Sequence, residues 1–433
     1  MKGEGYLLTK LCAACAAVVT VLCQGALAAT LCVNPGGTGG CYSTIAAAVS
    51  AASPNDTVAV APGTYKEDVV IGKPLALIGA NQSKTTIDAT GLSNGVYIDG
   101  LDNAGLTTVV LQGFTLENAN YEGILVTNAS NVTISGNTVI DNDKSLEPSI
   151  PACPGQPSFE TGEDFDCGEG IHLSGADHSI VADNLVFGNS GGILLSDDTG
   201  ETHDNLVSGN VVKNNPFDCG IVMASHTLYP NPPGTPHAGI VHNTVADNQS
   251  IHNGYQVPGA GAGVGIFSDG SGPGLVSGNV VIHNQLKNNG IPGVAFHSHV
   301  GPNFGLPPDD LNDNVIVGNQ ISGNGADIGD TATPGPTGIN VNSGGGGTPI
   351  TGTVITQNVF GQEDYQVVLN TPAQVDIHLN NFPAKGVGVD NLGPGTSSAT
   401  ENWWGCSGGP GAKGCASVDG PGILSTPWLM QPF

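Results

Sequence analysis

The sequence predicts an all-β fold, a right-handed parallel β-helix of about ten or eleven coils, on three observations. The first is a recurring phrase, Asn131-Val-Thr-Ile-Ser-Gly-Asn137-Thr-Val-Ile-Asp-Asn142, which returns at Asn205–Asn215, Gly274–Asn284 and Asn314–Asn324. Looser copies centre on Asn184, Asn243 and Asn358. The second is alternation: each copy holds two short β-branched runs with apolar residues at every second position, as in strands with one buried face. The third is a further strand that opens with glycine, as in Gly123-Ile-Leu-Val, Gly170-Ile-His-Leu, Gly192-Ile-Leu-Leu, Gly220-Ile-Val-Met, Gly293-Val-Ala-Phe and Gly338-Ile-Asn-Val. Three strands and three corners close one coil. No coil buries its inner face alone, so stacked coils share one core of Ile, Val and Leu. Gly-Asn steps tolerate the left-handed backbone of a sharp corner, and asparagines at equivalent corners are expected to bond coil to coil. Propeller blades, the alternative, carry aromatic signatures, and only 5% of these residues are aromatic.

In chain order, residues 1–28 read as a secretory leader. Lys2 and Lys10 flank its start, an apolar run spans Leu11 to Cys23, and Ala26-Leu27-Ala28 offers a cleavage site. The solenoid is expected over 29–400, with an N-terminal cap at about 43–53 because an open core end must be covered. There Ser43 to Ala52 reads as a short helix with Ser43 as N-cap. Pro54-Asn-Asp-Thr-Val-Ala-Val-Ala-Pro-Gly-Thr-Tyr65-Lys-Glu and Lys73-Pro-Leu-Ala-Leu-Ile-Gly79-Ala follow. At these residues the chain resembles the opening coils of pectin-lyase-like β-helix proteins, including the NosD-like family and pectin methylesterases. The resemblance covers almost all of the mature chain. It implies the fold, but not a reaction, because that superfamily holds lyases, hydrolases, esterases, epimerases and non-enzymatic surface proteins. Residues 401–433 form the closing segment, where Asn402-Trp-Trp-Gly405 and Trp428 are read as a plug for the last coil.

Three of the ten cysteines (Cys12, Cys15, Cys23) lie in the leader. The others sort by proximity into Cys32/Cys41, Cys153/Cys167 and Cys406/Cys415, expected as disulfides of an exported chain, with Cys219 a buried thiol. The formal charge is −27, all ten basic residues are lysine, and arginine is absent. Phosphate recognition needs a basic stripe, so nucleic acid is excluded as a partner. No stretch beyond the leader is long and apolar enough to span a membrane. A secreted or cell-surface monomer directed at an extracellular polysaccharide is the expectation; an anionic glycan would need a bridging cation.

Within the repeats the closing Asn follows the central Asn by five residues, so length variation falls beside the glycine-opened strand. Insertions precede that strand at 143–168, 249–262, 285–292 and 325–337, and follow it at 199–204, 227–238 and 300–312. Loops on both sides of one sheet make a walled trough, and long loops on a rigid scaffold are where function usually sits. Alternation turns outward His172 and Ser174; Leu194, Ser196 and Asp198; Val222, Ala224 and His226; Phe267 and Asp269; and Ala295, His297 and His299. His226, Asp269 and His297 are expected to form a column over successive coils, flanked by Asp198 and His299, with Gly265 or equally Gly263 opening the strand that leads to Asp269. Imidazole and carboxylate at that separation suit general acid–base work or a transition metal, so these five are the candidate catalytic residues. The alternative is a set of surface histidines. His172, Ser174, Ser196, Phe267 and Lys287 are the candidate substrate-binding residues. The run Glu160-Thr-Gly-Glu-Asp-Phe-Asp-Cys-Gly-Glu169 crowds five carboxylates, and Glu163, Asp164, Asp166 and Glu169 are the candidate calcium ligands. A solvated acidic loop is the alternative.

Three functions stay open. An enzyme would act as a polysaccharide lyase with Lys287, Lys213 or a histidine as base, or as a glycoside hydrolase with Asp198 and Asp269. The arginine that lyases and pectin methylesterases of this fold use is missing, as are the Asp-Pro-His-Glu signature of alginate epimerases and the Arg-Ile-Lys element of polygalacturonases. A non-catalytic adhesin or structural β-helix explains those absences. Metal handling through His226, His297 and His299 is what the NosD-like resemblance implies.

Overall fold

The computed structural model describes residues 28–146, 153, 155–160, 167–226, 237–268, 273–298, 308–329, 333–344 and 348–433. It is a right-handed parallel β-helix whose strands form sheets of 14, 12 and 10 strands, with a fourth sheet of three. Every strand pairing is parallel, and each strand pairs with its counterpart one coil away; Ile134, for example, lies opposite Leu111 on one side and Val181 on the other. Twelve strands on one sheet exceed the ten or eleven coils expected. The additional turns come late, where Asn380 and Asn402 continue the repeat after His378-Leu and Thr400-Glu rather than after glycine. The closing segment also adds strands at Ser417–Asp419 and Ile423–Leu424.

Side chains from the inner faces fill one core that runs the length of the solenoid, from Val33 and Ile45 to Trp404. At the N-terminal end the helix Ile45–Ala51 turns Ile45, Ala48 and Val49 inward as a lid. Its N-cap is Thr44, one residue later than expected, with Thr44 Oγ1 accepting the Ala47 N–H at 3.2 Å. Glu67 replaces further capping by accepting the Ile45 and Ala46 N–H groups, each at 2.8 Å. At the other end Phe360, Phe382 and the buried Trp404 pack against one another as tilted rings with centroids 5.3 and 4.9 Å apart. The three expected disulfides are formed, as befits a chain that matures outside the reducing cytosol. Cys219 is buried, and its sulfur accepts the Ala262 N–H. No helix among the described residues is long and apolar enough to cross a membrane, and the expected leader lies almost wholly outside those residues.

The corners carry three asparagine ladders rather than one. The longest runs Asn137, Asn184, Asn210, Asn248, Asn284, Asn319, Asn358, Asn380 and Asn402, each amide Nδ2 donating to the next Oδ1 at 3.0–3.1 Å. A second links Asn205, Asn243, Asn279 and Asn314, and a third Asn142, Asn189, Asn215, Asn253, Asn289 and Asn324. One coil thus holds Asn205, Asn210 and Asn215 at equal intervals, and a phrase of that spacing fits in two frames. The copies centred on Asn243 and Asn279 are therefore one corner out of step; Asn248 and Asn284 are the true counterparts of Asn210. As a consequence Gln249–Ile251 and Gln285–Lys287 are strands of the ten-stranded sheet, not insertions. Each corner turns on the residue before the asparagine, held at positive φ: glycine at 136, 209 and 318, but also Asp183, His283 and Leu379.

Candidate functional site

The glycine-opened strands build the 12-stranded sheet, and their outer face is where the candidate residues gather. Glycine opens them because there is no room for a Cβ; one on Gly192 would lie 2.1 Å from the Gly220 carbonyl oxygen. One outward row reads His172, Leu194, Val222, Gly265, Ala295 and Asn340, and the next Ser174, Ser196, Ala224, Phe267, His297 and Asn342. Much of this face is roofed rather than an open trough. Leu194, Val222, Ala224 and Ala295 join Cys219, Ala262 and Ile291, from the segments leading into the strands, in a second buried apolar cluster.

Three imidazoles on this face are each held by a carboxylate. His172 lies with Nδ1 3.1 Å from Glu122 Oε1 and Nε2 2.7 Å from Ser196 Oγ. His226 Nδ1 lies 3.1 Å from Asp198 Oδ2, both side chains almost wholly buried. His297 Nε2 lies 2.6 Å from Asp327 Oδ2, and its ring stacks on Phe267 at 4.6 Å with the planes 15° apart. Phe267 has room because Gly265 lacks a Cβ, which would meet the ring at 2.8 Å.

The expected column of His226, Asp269 and His297 does not form as one row. Gly263, not Gly265, opens its strand, so Val264 lies between Ile221 and Val294. His297 is then opposite Phe267, four residues after Gly293, whereas His226 is six residues after Gly220. Asp269 and His299 lie outside the described residues, as do Glu163, Asp164 and Asp166. Lys287 stands on the ten-stranded sheet beside Gln285, away from this face. Ser174 and Ser196 are buried: Ser196 holds His172, and Ser174 accepts the Thr199 N–H.

The electrostatics are dominated by buried carboxyls without arginine. Burial opposes ionisation of Asp198, but the adjacent His226, with His172 farther off, holds its carboxyl well below the usual range. Next to it, burial pushes Asp197 up to about 7, opposed by the N–H groups of Gly239 and His226. Burial likewise raises Asp143 and Glu160 to about 7, and it raises Glu122 well above the ordinary value, reinforced by the charge of Glu160. Asp197 organises the strand end, accepting the backbone N–H of His226 and Gly239 at 2.6 Å and the Ser225 hydroxyl at 3.1 Å. Two groups of metal-ligating side chains occur among the described residues: His178, His203 and Asp204 at a solvent-exposed corner, and Glu122, Glu169 and His172, all buried.

Sequence reading missed Glu122, Glu160, Asp197 and Asp327. Glu122 had a signal: Glu-Gly-Ile occurs at 122–124 and again at 169–171, so the two glutamates stack on adjacent coils. Glu160 and Asp327 arrive on insertions whose paths no periodicity sets.

The profile of the family described as periplasmic copper-binding protein (NosD) matches residues 160–385, just over half of the chain. The chain belongs to the NosD family. A profile for the right handed beta helix region matches residues 77–232. No curated protein matches the chain. Among solved structures, the NosD-family solenoid resembles the catalytic domain of a GH87 α-1,3-glucanase in complex with tetrasaccharides, at TM-score 0.51 and 13% identity, over 86% of this chain and 63% of that one. It resembles DFA-IIIase from Arthrobacter chlorophenolicus A6 in complex with DFA-III at TM-score 0.51 and 12% identity, over 88% and 93%. At such identities the likeness is one of fold.

Proposed function

We propose that the chain binds a polysaccharide at the part of the outer face of the 12-stranded sheet left open beside Phe267, and cleaves or modifies it by proton transfer at His226. The observation that carries this reading is the buried His226–Asp198 pair. An ionised carboxylate on Nδ1 fixes the tautomer and stabilises the imidazolium. The half-buried Phe267, backed by His297, supplies an aromatic face of the kind that sugar rings stack on. The class of ligand is carried over from the saccharide complexes of the glucanase and DFA-IIIase, as part of the proposal. Without arginine to neutralise a uronate, a neutral glycan suits this face best.

The test is a panel of neutral and anionic glycans assayed for both binding and product release. Release is expected from the wild type, reduced about 10²- to 10⁴-fold in His226→Ala and comparably in Asp198→Asn, with binding weakened in Phe267→Ala. Binding without release makes the protein a glycan-binding adhesin; neither binding nor release on any glycan overturns the reading. Copper handling, which the family description names, lacks a soft donor set for cuprous copper among the described residues, whereas His178, His203 and Asp204 offer imidazole and carboxylate donors of the kind that cupric copper accepts. Cys219 lies in the apolar cluster and Met223 in the core, whereas cuprous copper favours gathered thiolates and thioethers.

A further inference from the structure

We infer that Glu122, Glu169 and His172 form a site for one divalent first-row cation of the manganese or zinc type, with Glu160 of the 143–168 insertion beside it. This stands apart from the glycan reading, which uses His226 and Asp198. Glu122 and Glu169 occupy the same position on adjacent coils, so two buried carboxylates face the same side one strand spacing apart, about 4.8 Å. A ligand atom of each and one of His172 all lie within 4.8 Å of one another. Ser196 meets the far nitrogen of His172 at 2.7 Å, the orienting contact that metal-bound imidazoles use.

A second observation comes from the insertion itself. Both carboxylate oxygens of Glu160 are shielded from solvent and make no hydrogen bond, although the side chain of Gln156 is close enough to ease its charge. Glu160 acts electrostatically on both Glu122 and His172, so it lies near them, outside the three whose ligand atoms converge. The adjoining Cys153–Cys167 disulfide closes the same insertion. Buried like charges require either protons or a cation. Two converging carboxylates with one imidazole, and a third carboxylate nearby, suit a cation that accepts mixed oxygen and nitrogen donors, rather than calcium, which takes oxygen alone. The site shares only Glu169 with the calcium ligands expected from the sequence.

The experiment is titration of the chelator-treated full chain with MnCl2, ZnCl2 and CaCl2, followed by calorimetry and thermal melting. Saturable binding of one equivalent of Mn2+ or Zn2+ is expected, with a rise in Tm and slower proteolytic cleavage between Cys153 and Cys167. His172→Gln and Glu169→Gln should each weaken binding at least tenfold. Their metal-free melting, compared with wild type, separates lost ligation from lost folding, and Glu160→Gln on the insertion provides a variant outside the coil. Absence of saturable binding overturns the proposal. So does binding that survives all three substitutions, or calcium binding indifferent to His172→Gln.

Discussion

Asp197 shows how a single carboxyl can set the pH response of the fold. Its pKa is raised by burial to about 7, against 3.8 for an unburied group. The folded state therefore keeps a proton that the unfolded chain has already released between those values. Where the native state binds more protons, stability falls as pH rises, so the contribution is intact below about 4 and lost through about 7, on the order of 4 kcal/mol. Asp198 has the opposite sign: its depressed pKa gives stability that is present above 3.8 and lost in stronger acid. Thermal melting between pH 5 and pH 8 is expected to show Tm falling with pH, and Asp197→Asn should lessen that slope, leaving what Asp143 and Glu160 add. An unchanged slope in the variant would remove Asp197 as its source.

At the scale of the element, the ladder is the structural unit. Asn248 accepts the Asn210 N–H at 2.9 Å and Nδ2 at 3.0 Å, and it donates to the Val207 carbonyl at 2.9 Å and to Asn284 at 3.0 Å. Asn248→Ala strands several buried polar groups at once, each costing about 1–3 kcal/mol. A loss of roughly 3 kcal/mol or more in denaturant unfolding is expected; a nearly neutral result would mean that strand pairing alone holds the coils. The ladders were legible in the sequence because a corner asparagine has few substitutes: its amide must both donate and accept, and Glu363 ends one ladder by accepting from Asn324. Their frame was less legible, since equal spacing between Asn205, Asn210 and Asn215 makes neighbouring corners look alike. The site was legible only where it sits on strands. His172 and His297 follow from alternation, whereas Asp327 reaches His297 from a loop that carries no period.

For the whole molecule, the sequence carries a formal charge of −27 with ten lysines as its only permanent cations, and two of these, Lys2 and Lys10, lie in the expected leader, so the solenoid has eight. Self-repulsion of that size destabilises the compact state and is relieved by salt. Between about 0.01 and 0.1 M NaCl the Debye length falls from about 30 to 10 Å, so Tm is expected to rise over that range. A flat Tm would show that the carboxylates are already neutralised by protons or bound cations. The longest ladder has a further consequence. In the first eight of these nine asparagines an amide hydrogen points toward the following coil, so their dipoles align head to tail from Asn137 to Asn380. The rod is thereby electrically polar along its axis, with its positive pole toward Asn402. Each link polarises the next, so the middle bonds should be stronger than those at either end.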